Sequence, residues 1–219
     1  MFDVQRSVFS FPFRSRLAVR PPRPSPRRVS EEVFDVVNER DEVIGRAPRS
    51  EVHRRNLRHR AVHVLLFNHR GELFLQQRSL TKDNWPGVWD SSSSGHLDAG
   101  EDYDACVLRE VREELGIALA SVPARILRLD ATEETGWEFC WVYRAEHEGP
   151  FQLQESEVRG GAWFSPAAIR HWIQGRPDDF ASCFRVLWAQ LPESGGGRGD
   201  TDFTDSHGEE RGPSLGSSV

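Results

Sequence analysis

Lysine is almost missing from this 219-residue chain: among 28 Lys and Arg, Lys82 alone is lysine. So lopsided a usage makes any Arg-rich stretch partly a global habit rather than an address. Cysteine is scarce too, at three residues, Cys106, Cys140 and Cys183, odd in number and widely spaced. Neither a disulfide framework nor a Cys-based zinc site is indicated by that count and spacing, so a reducing, cytoplasmic setting is expected. No stretch reaches the roughly 20 apolar residues that span a bilayer, and no apolar segment with a small-residue cleavage site follows the start, so no membrane partner is expected. Nucleic acid polymer is not expected either. The overall charge is −6, and residues 1–30 hold seven Arg against one Asp, which leaves about −12 on the rest of the chain to repel a phosphate backbone.

Two segments lack what a core requires. Residues 1–30 include the run Pro21-Pro-Arg-Pro-Ser-Pro-Arg-Arg28, which sustains neither a helix nor a ladder strand. They are expected to be a disordered extension or leader, or a transit peptide to plastid or mitochondrion. Residues 193–219 are Gly/Ser-rich and acidic and are expected to form a disordered tail. The intervening residues 31–192, in a chain with 37% hydrophobic residues, suffice for one enzyme domain with a single core. A homodimer is compatible with this composition.

Alternating apolar residues predict strands near 33–37, 43–46, 61–67, 72–78, 125–130, 138–145 and 160–164, with Asn68-His-Arg-Gly71 turning one pair. Helices are expected over 103–114, over 166–174 behind an N-cap at Ser165 and a first-turn Pro166, and over 179–191. Helices interspersed with partly hairpin-linked strands make an α/β class, an α/β/α sandwich around a mixed sheet.

The chemistry concentrates in Gly95-His-Leu-Asp-Ala-Gly-Glu101, seven further residues, and Arg109-Glu-Val-Arg-Glu-Glu-Leu-Gly-Ile117. Glu110, Glu113 and Glu114, at i, i+3 and i+4, share one helix face. Like charges so placed repel, and folding alone gives no reason for them; a divalent cation does. Oxygen ligands of this kind favour Mg²⁺ or Mn²⁺, whose remaining positions take water and substrate phosphate. Arg109 is placed to pair with Glu101 and lash the loop to the helix, and Gly95 and Gly116 are read as tight turns at either end. A solvated acidic helix is the alternative, which the flanking glycines and Arg109 disfavour.

This segment fits throughout the signature of the Nudix hydrolases, G-x5-E-x7-R-E-U-x-E-E-x-G-U. Similarity continues through Phe34-Asp-Val-Val-Asn, His59-Arg-Ala-Val-His63 and Lys82-Asp-Asn-Trp-Pro-Gly-Val-Trp89, which resembles the branch close to isopentenyl-diphosphate isomerase. The resemblance implies the Nudix α/β/α sandwich, metal held by Glu110, Glu113 and Glu114, and water attack within the diphosphate of a small molecule. That molecule would be a nucleoside diphosphate linked to another moiety, a nucleotide or an isoprenoid diphosphate. Glu110, Glu113, Arg109 and Glu138 are the expected catalytic residues. Arg60, Lys82, Trp85 and His96 are the expected substrate-binding residues.

The isomerase's metal is held by three histidines and two glutamates. His53, His59 and His96 match the histidines, His53 only with one residue deleted before His59, and they form a candidate second metal set. Glu138 matches one glutamate, whereas Gly136 stands at the other and Ser94 at the catalytic cysteine. An unactivated hydroxyl has a pKa far from neutrality, so isomerisation looks disabled and water attack is favoured. Isomerase activity and non-catalytic nucleotide sensing are the alternatives. Glu133, Glu134 and Glu157 compete with Glu138 as base, strand alternation sets Glu138 with Cys140 and Val142 on one face, and His63 is read as a packed strand residue and His69 as an exposed turn residue. Any of Arg46, Arg49, Arg54, Arg55, Arg58 and Arg60 offers a phosphate grip or is ordinary surface arginine. Trp85 and Trp89 suit a pocket wall or a core equally.

Overall fold

The computed structural model describes residues 31–192, so the expectations for 1–30 and 193–219 lie outside the described residues. Strands β1 (Val33–Val37) and β2 (Val43–Pro48) pair antiparallel as a ribbon. Its turn is closed by Asn38, whose Oδ1 accepts from the Arg40 and Glu42 amides at 2.9 and 3.1 Å. A short helix, α1 (Arg49–Arg54), follows and buries only Val52. This helix was not expected, because six residues with one buried position carry no helical period.

The main sheet grows from β3 (His59–Phe67) and β4 (Leu73–Arg78), joined by the expected turn, where Gly71 takes a φ of 73°. Beyond the Phe67–Leu73 pair the two strands splay apart. Residues 89–96 fill the fork: β5 (Trp89–Asp90) pairs with β4, and β6 (Ser93–His96) pairs antiparallel with β3. Ser92 is the wedge, accepting from the Leu66 amide at 2.8 Å and donating to the Phe74 carbonyl. A serine run without alternation does not announce strands, and β5 and β6 were not expected; the open ladder positions of their neighbours make them.

Helix α2 (Tyr103–Leu115) comes next, then β7 (Ala124–Leu129), β8 (Glu138–Glu146) and β9 (Val158–Phe164). Strand β8 runs parallel to β3, from His59 opposite Glu138 to Phe67 opposite Glu146, while β7 and β9 join antiparallel to β8 and β4. The sheet is therefore mixed. Helix α3 (Pro166–Gly175) starts as expected, with Ser165 Oγ accepting from the Ala168 amide at 3.2 Å. The last helix, α4 (Ser182–Gln190), begins later than expected. Pro177–Asp179 forms a 3-10 turn, and Ala181 donates to the Trp89 carbonyl at 3.0 Å, which holds the preceding backbone extended.

Two cores flank the sheet. Val62, Val64, Leu66, Phe74 and Tyr143 pack under Val107, Val111 and Leu115 of α2. Ala61, Leu65, Leu73, Leu75 and Val142 pack under Ile169, Phe184 and Leu187 of α3 and α4. This is the expected α/β/α sandwich. Among the described residues no helix is long and apolar enough to cross a membrane.

Candidate active site and metal centre

Helix α2 is fixed at both ends by local chemistry. Asp102 caps its start by accepting from the Ala105 amide at 2.8 Å, and Gly116 ends it in the left-handed region at φ 67°. Between them Glu110 and Glu114 are buried, 9% and 3% exposed, while the Glu113 side chain is 58% exposed. Glu114 Oε2 accepts from the Ser94 amide at 3.0 Å and from Gln76 Nε2 at 3.3 Å, which docks the helix on β6 and β4.

Arg109 makes the lashing the sequence implied and more. Its guanidinium forks onto Glu101 at 2.9 and 2.8 Å, and also reaches Glu110 at 2.7 Å, Glu113 at 3.2 Å and the His96 carbonyl at 2.9 Å. One cation therefore serves three carboxylates. Burial, then the neighbouring Glu114, pushes the Glu110 carboxyl up to about 8, and burial pushes Glu114 upward as well. Two buried acids short of positive charge fit a hard divalent cation, whose charge would hold them ionised.

Gly95 needs a corrected reason. Its φ is not in the left-handed region, so no turn demands glycine there. A Cβ at Gly95 would stand 2.0 Å from Glu110 Oε1, and glycine is what lets β6 lie against the carboxylates. Gly116 does turn the chain, and a Cβ there would also meet Gln152 at 2.6 Å.

His96, the next residue, points the other way, as alternation in an extended strand requires. There it meets His53 of α1, His59 of β3 and Glu138 of β8. The three rings have centroids 5.0 to 5.2 Å apart, and one nitrogen from each lies within 4.8 Å of the others. Phe34 packs on all three. Glu138 Oε1 is 2.9 Å from His96 Nε2 and 3.6 Å from His59 Nε2. His59 Nδ1 faces the Leu57 carbonyl at 2.9 Å, and a carbonyl only accepts, so Nδ1 carries the proton. Its Nε2 is buried, without a hydrogen-bond partner, and faces the carboxylate. His53 Nε2 is buried and unpartnered too. Burial, followed by the neighbouring histidines, pushes His53 down to about 4, and burial pushes His96 down, so both present neutral nitrogens. Converging imidazole nitrogens beside a carboxylate are a donor set suited to Zn²⁺ or Mn²⁺.

The expected residues thus divide between two faces of β6. Glu138 lies with the histidines, and the hydrogen bonds described for it do not reach the α2 glutamates. Lys82 pairs with Glu157, and both act electrostatically on Glu114, which puts them on the α2 side. Arg60 is paired with Asp41 and lies over the Tyr103 ring. Trp85 is 44% exposed in the 79–88 loop with Arg185 over its ring, whereas Trp89 packs against Phe164 and Trp172 in the core. His63 is buried in its strand and His69 is exposed, both as read. Sequence reasoning missed Gln76, whose contact with Glu114 joins positions 38 apart. It also missed a cluster of His63, Cys140 and Cys183 beside Glu138. Alternation along β8 foretold that Glu138 and Cys140 share a face; nothing local foretold Cys183.

The family model described as NUDIX domain matches residues 57–182. The Shigella flexneri protein described as uncharacterized Nudix hydrolase YfcD is 36% identical over 144 residues, 65% of this chain and 79% of that protein. An isopentenyl-diphosphate Delta-isomerase from Paenarthrobacter aurescens is 34% identical over 157 residues, 69% of this chain and 85% of that enzyme. Among solved structures, DR0079 from Deinococcus radiodurans superposes with a TM-score of 0.60 at 29% identity, over 66% of this chain and 90% of that one. With its signature helix built as described, the chain belongs to the Nudix family, as a hydrolase of the phosphorus-containing acid anhydrides on which that family acts.

Proposed function

We propose that the protein cleaves the diphosphate of a small molecule, a nucleoside diphosphate derivative, a nucleotide or an isoprenoid diphosphate, by metal-assisted water attack at the α2 glutamates. The observation that carries this reading is the burial of Glu110 and Glu114 side by side against β6, with Arg109 clamping Glu110 to Glu101 and Glu113 and the Ser94 amide holding Glu114. Glu110, Glu113 and Glu114 would hold Mg²⁺ or Mn²⁺, which when bound neutralises phosphate oxygens and lowers the pKa of water. Glu113 is the carboxylate that solvent and substrate reach most readily. Arg109 ties Glu110 and Glu113 to Glu101, while the Ser94 amide and Gln76 hold Glu114. Lys82, next to Glu157, offers a positive charge to the substrate phosphates on the same side of the sheet.

His53, His59, His96 and Glu138 form a second metal set in this reading, supported by the unpartnered Nε2 atoms of His53 and His59. That set also keeps the isomerase alternative in view. Against it, Gly136 lies where its Cβ would be 3.5 Å from Glu138 Oε1, so the position beside Glu138 supplies no further carboxylate, and Ser94 supplies no thiol.

A mass-spectrometric screen of diphosphate compounds with Mg²⁺ tests the proposal. Hydrolysis that collapses in Glu113→Gln and Glu114→Gln supports it, and hydrolysis unchanged in both overturns the site. Dimethylallyl diphosphate formed without phosphate release would identify the isomerase, and a bound nucleotide that survives incubation with Mn²⁺ would identify a sensor.

A further inference from the structure

Three side chains outside the α2 carboxylates meet under α4. His63 of β3, Cys140 of β8 and Cys183 of α4 are all buried, and a nitrogen of His63, both sulfurs and a carboxylate oxygen of Glu138 lie within 4.8 Å of one another. Cys140 Sγ is 3.8 Å from Cys183 Sγ and 3.8 Å from Glu138 Oε2. Two thiolates bound to one tetrahedral zinc at about 2.3 Å stand about 3.8 Å apart. The sulfur pair already has that spacing, and no disulfide joins it.

The surroundings favour ligation over a plain thiol cluster. His63 Nδ1 is 2.9 Å from Ser91 Oγ and 3.8 Å from Asp90 Oδ1, which leaves Nε2 as the nitrogen available to the sulfurs. A hydrogen-bonding oxygen behind a histidine, here Ser91 Oγ with Asp90 beyond it, orients a metal-bound imidazole. Cys183 sits in the first turn of a nine-residue helix whose N-cap, Ala181, supplies no side-chain acceptor, and a helix start favours a thiolate. Glu138 presents Oε1 to His96 and Oε2 to Cys140.

We propose that His63, Cys140 and Cys183, with Glu138 as fourth ligand, form a zinc site, and that Glu138 bridges it to the His53, His59 and His96 set. Soft thiolates select Zn²⁺ over Mg²⁺, so this site and the α2 carboxylates choose different ions from one pool. Binding releases the thiol protons to solvent and involves no change of oxidation state. The site does not depend on the hydrolase reading and stands even if no diphosphate is cleaved.

Cobalt(II) added to the reduced, metal-free full-length protein tests it. The expected result is a near-ultraviolet thiolate-to-cobalt band with intense visible bands of tetrahedral geometry, displaced by Zn²⁺. The band is lost in Cys140→Ser and in Cys183→Ser and kept in Cys106→Ser. A natively folded wild type without the band, or a band that survives both substitutions, overturns the proposal. Should the serine variants fail to fold, wild-type crystals soaked in zinc decide. An anomalous peak between His63 and Cys183 supports the site; a peak confined to the His53, His59 and His96 rings, or a Cys140–Cys183 disulfide in freshly reduced protein, overturns it. Hydrolysis with Mg²⁺ is read separately, so the loss of one activity is not mistaken for the loss of the other.

Discussion

Gly95 and Glu110 touch across the gap between β6 and α2 so closely that a single methyl group at Gly95 would fall 2.0 Å from the Glu110 carboxylate. The atom in the way is the far end of a flexible side chain, so the clash is relieved by moving the carboxylate and not the backbone. Gly95→Ala is therefore expected to cost about 1 kcal/mol in urea denaturation, the low end for overpacking, while Mn²⁺ affinity and hydrolysis both fall about a hundredfold, a loss of about 2.8 kcal/mol in binding. Equal losses of stability and function would argue against this division.

Arg109 holds its neighbours through a planar fork, and lysine offers a single point charge in its place. Arg109→Lys should retain the charge and lose the paired contacts to Glu101, which lowers stability by about 2 kcal/mol. Thermal and urea unfolding with and without Mg²⁺ measure this, and a lysine variant as stable as wild type would show that charge alone suffices.

The raised carboxyl of Glu110 gives the metal-free protein a defined pH response. Its value in the folded chain, about 8, lies above its ordinary 4.5. The contribution of this group to stability is therefore fully present below the ordinary value and is lost as pH rises through the folded one. Metal-free protein should denature more readily in urea at alkaline pH than near pH 5 on account of this group, and stabilisation by Mg²⁺ should grow over the same interval because binding requires the deprotonated acids. A metal effect independent of pH would contradict the upward displacement of the Glu110 carboxyl.

Removing His59 takes away a buried nitrogen that otherwise faces Glu138 unpartnered. If the histidines hold a cation, His59→Ala should lower the bound Mn²⁺ or Zn²⁺ by one equivalent per chain, measured by elemental analysis after gel filtration, and Glu113→Gln should leave that equivalent in place. Unchanged metal content in His59→Ala would return the histidines to a packing role beneath Phe34.

What could be read from sequence was what is local. The Ser165 cap, the Asn68–Gly71 turn and the spacing of Glu110, Glu113 and Glu114 each lie within a few residues, where periodicity and capping chemistry act. The pairing of Glu101 with Arg109 came from the motif and holds in the fold. The short strands β5 and β6 and the buried Ser91, Ser92 and Ser93 at their junction could not be read, since nothing in a serine run favours a strand and the partners come from β3 and β4. Gly95 was seen but given the wrong reason, because crowding by Glu110 is a tertiary fact. The alliance of His63 and Cys140 with Cys183 was equally hidden, as α4 carries the third member in from more than forty residues downstream. Glu138 was read as a candidate base or added metal ligand, with its place beside His53, His59 and His96 implied only by the isomerase resemblance, and packing sets it among those imidazoles.

Strand β6 is four residues long, and consecutive positions serve opposite sides of the sheet. An insertion or deletion of one residue in the serine run would rotate every following side chain by half a turn, driving the imidazole of His96 into the acids of α2 and leaving a hole among the rings beneath Phe34. The carboxylate cluster and the imidazole cluster are thereby yoked through a count of residues, and a lineage altering the length of that run disturbs both together.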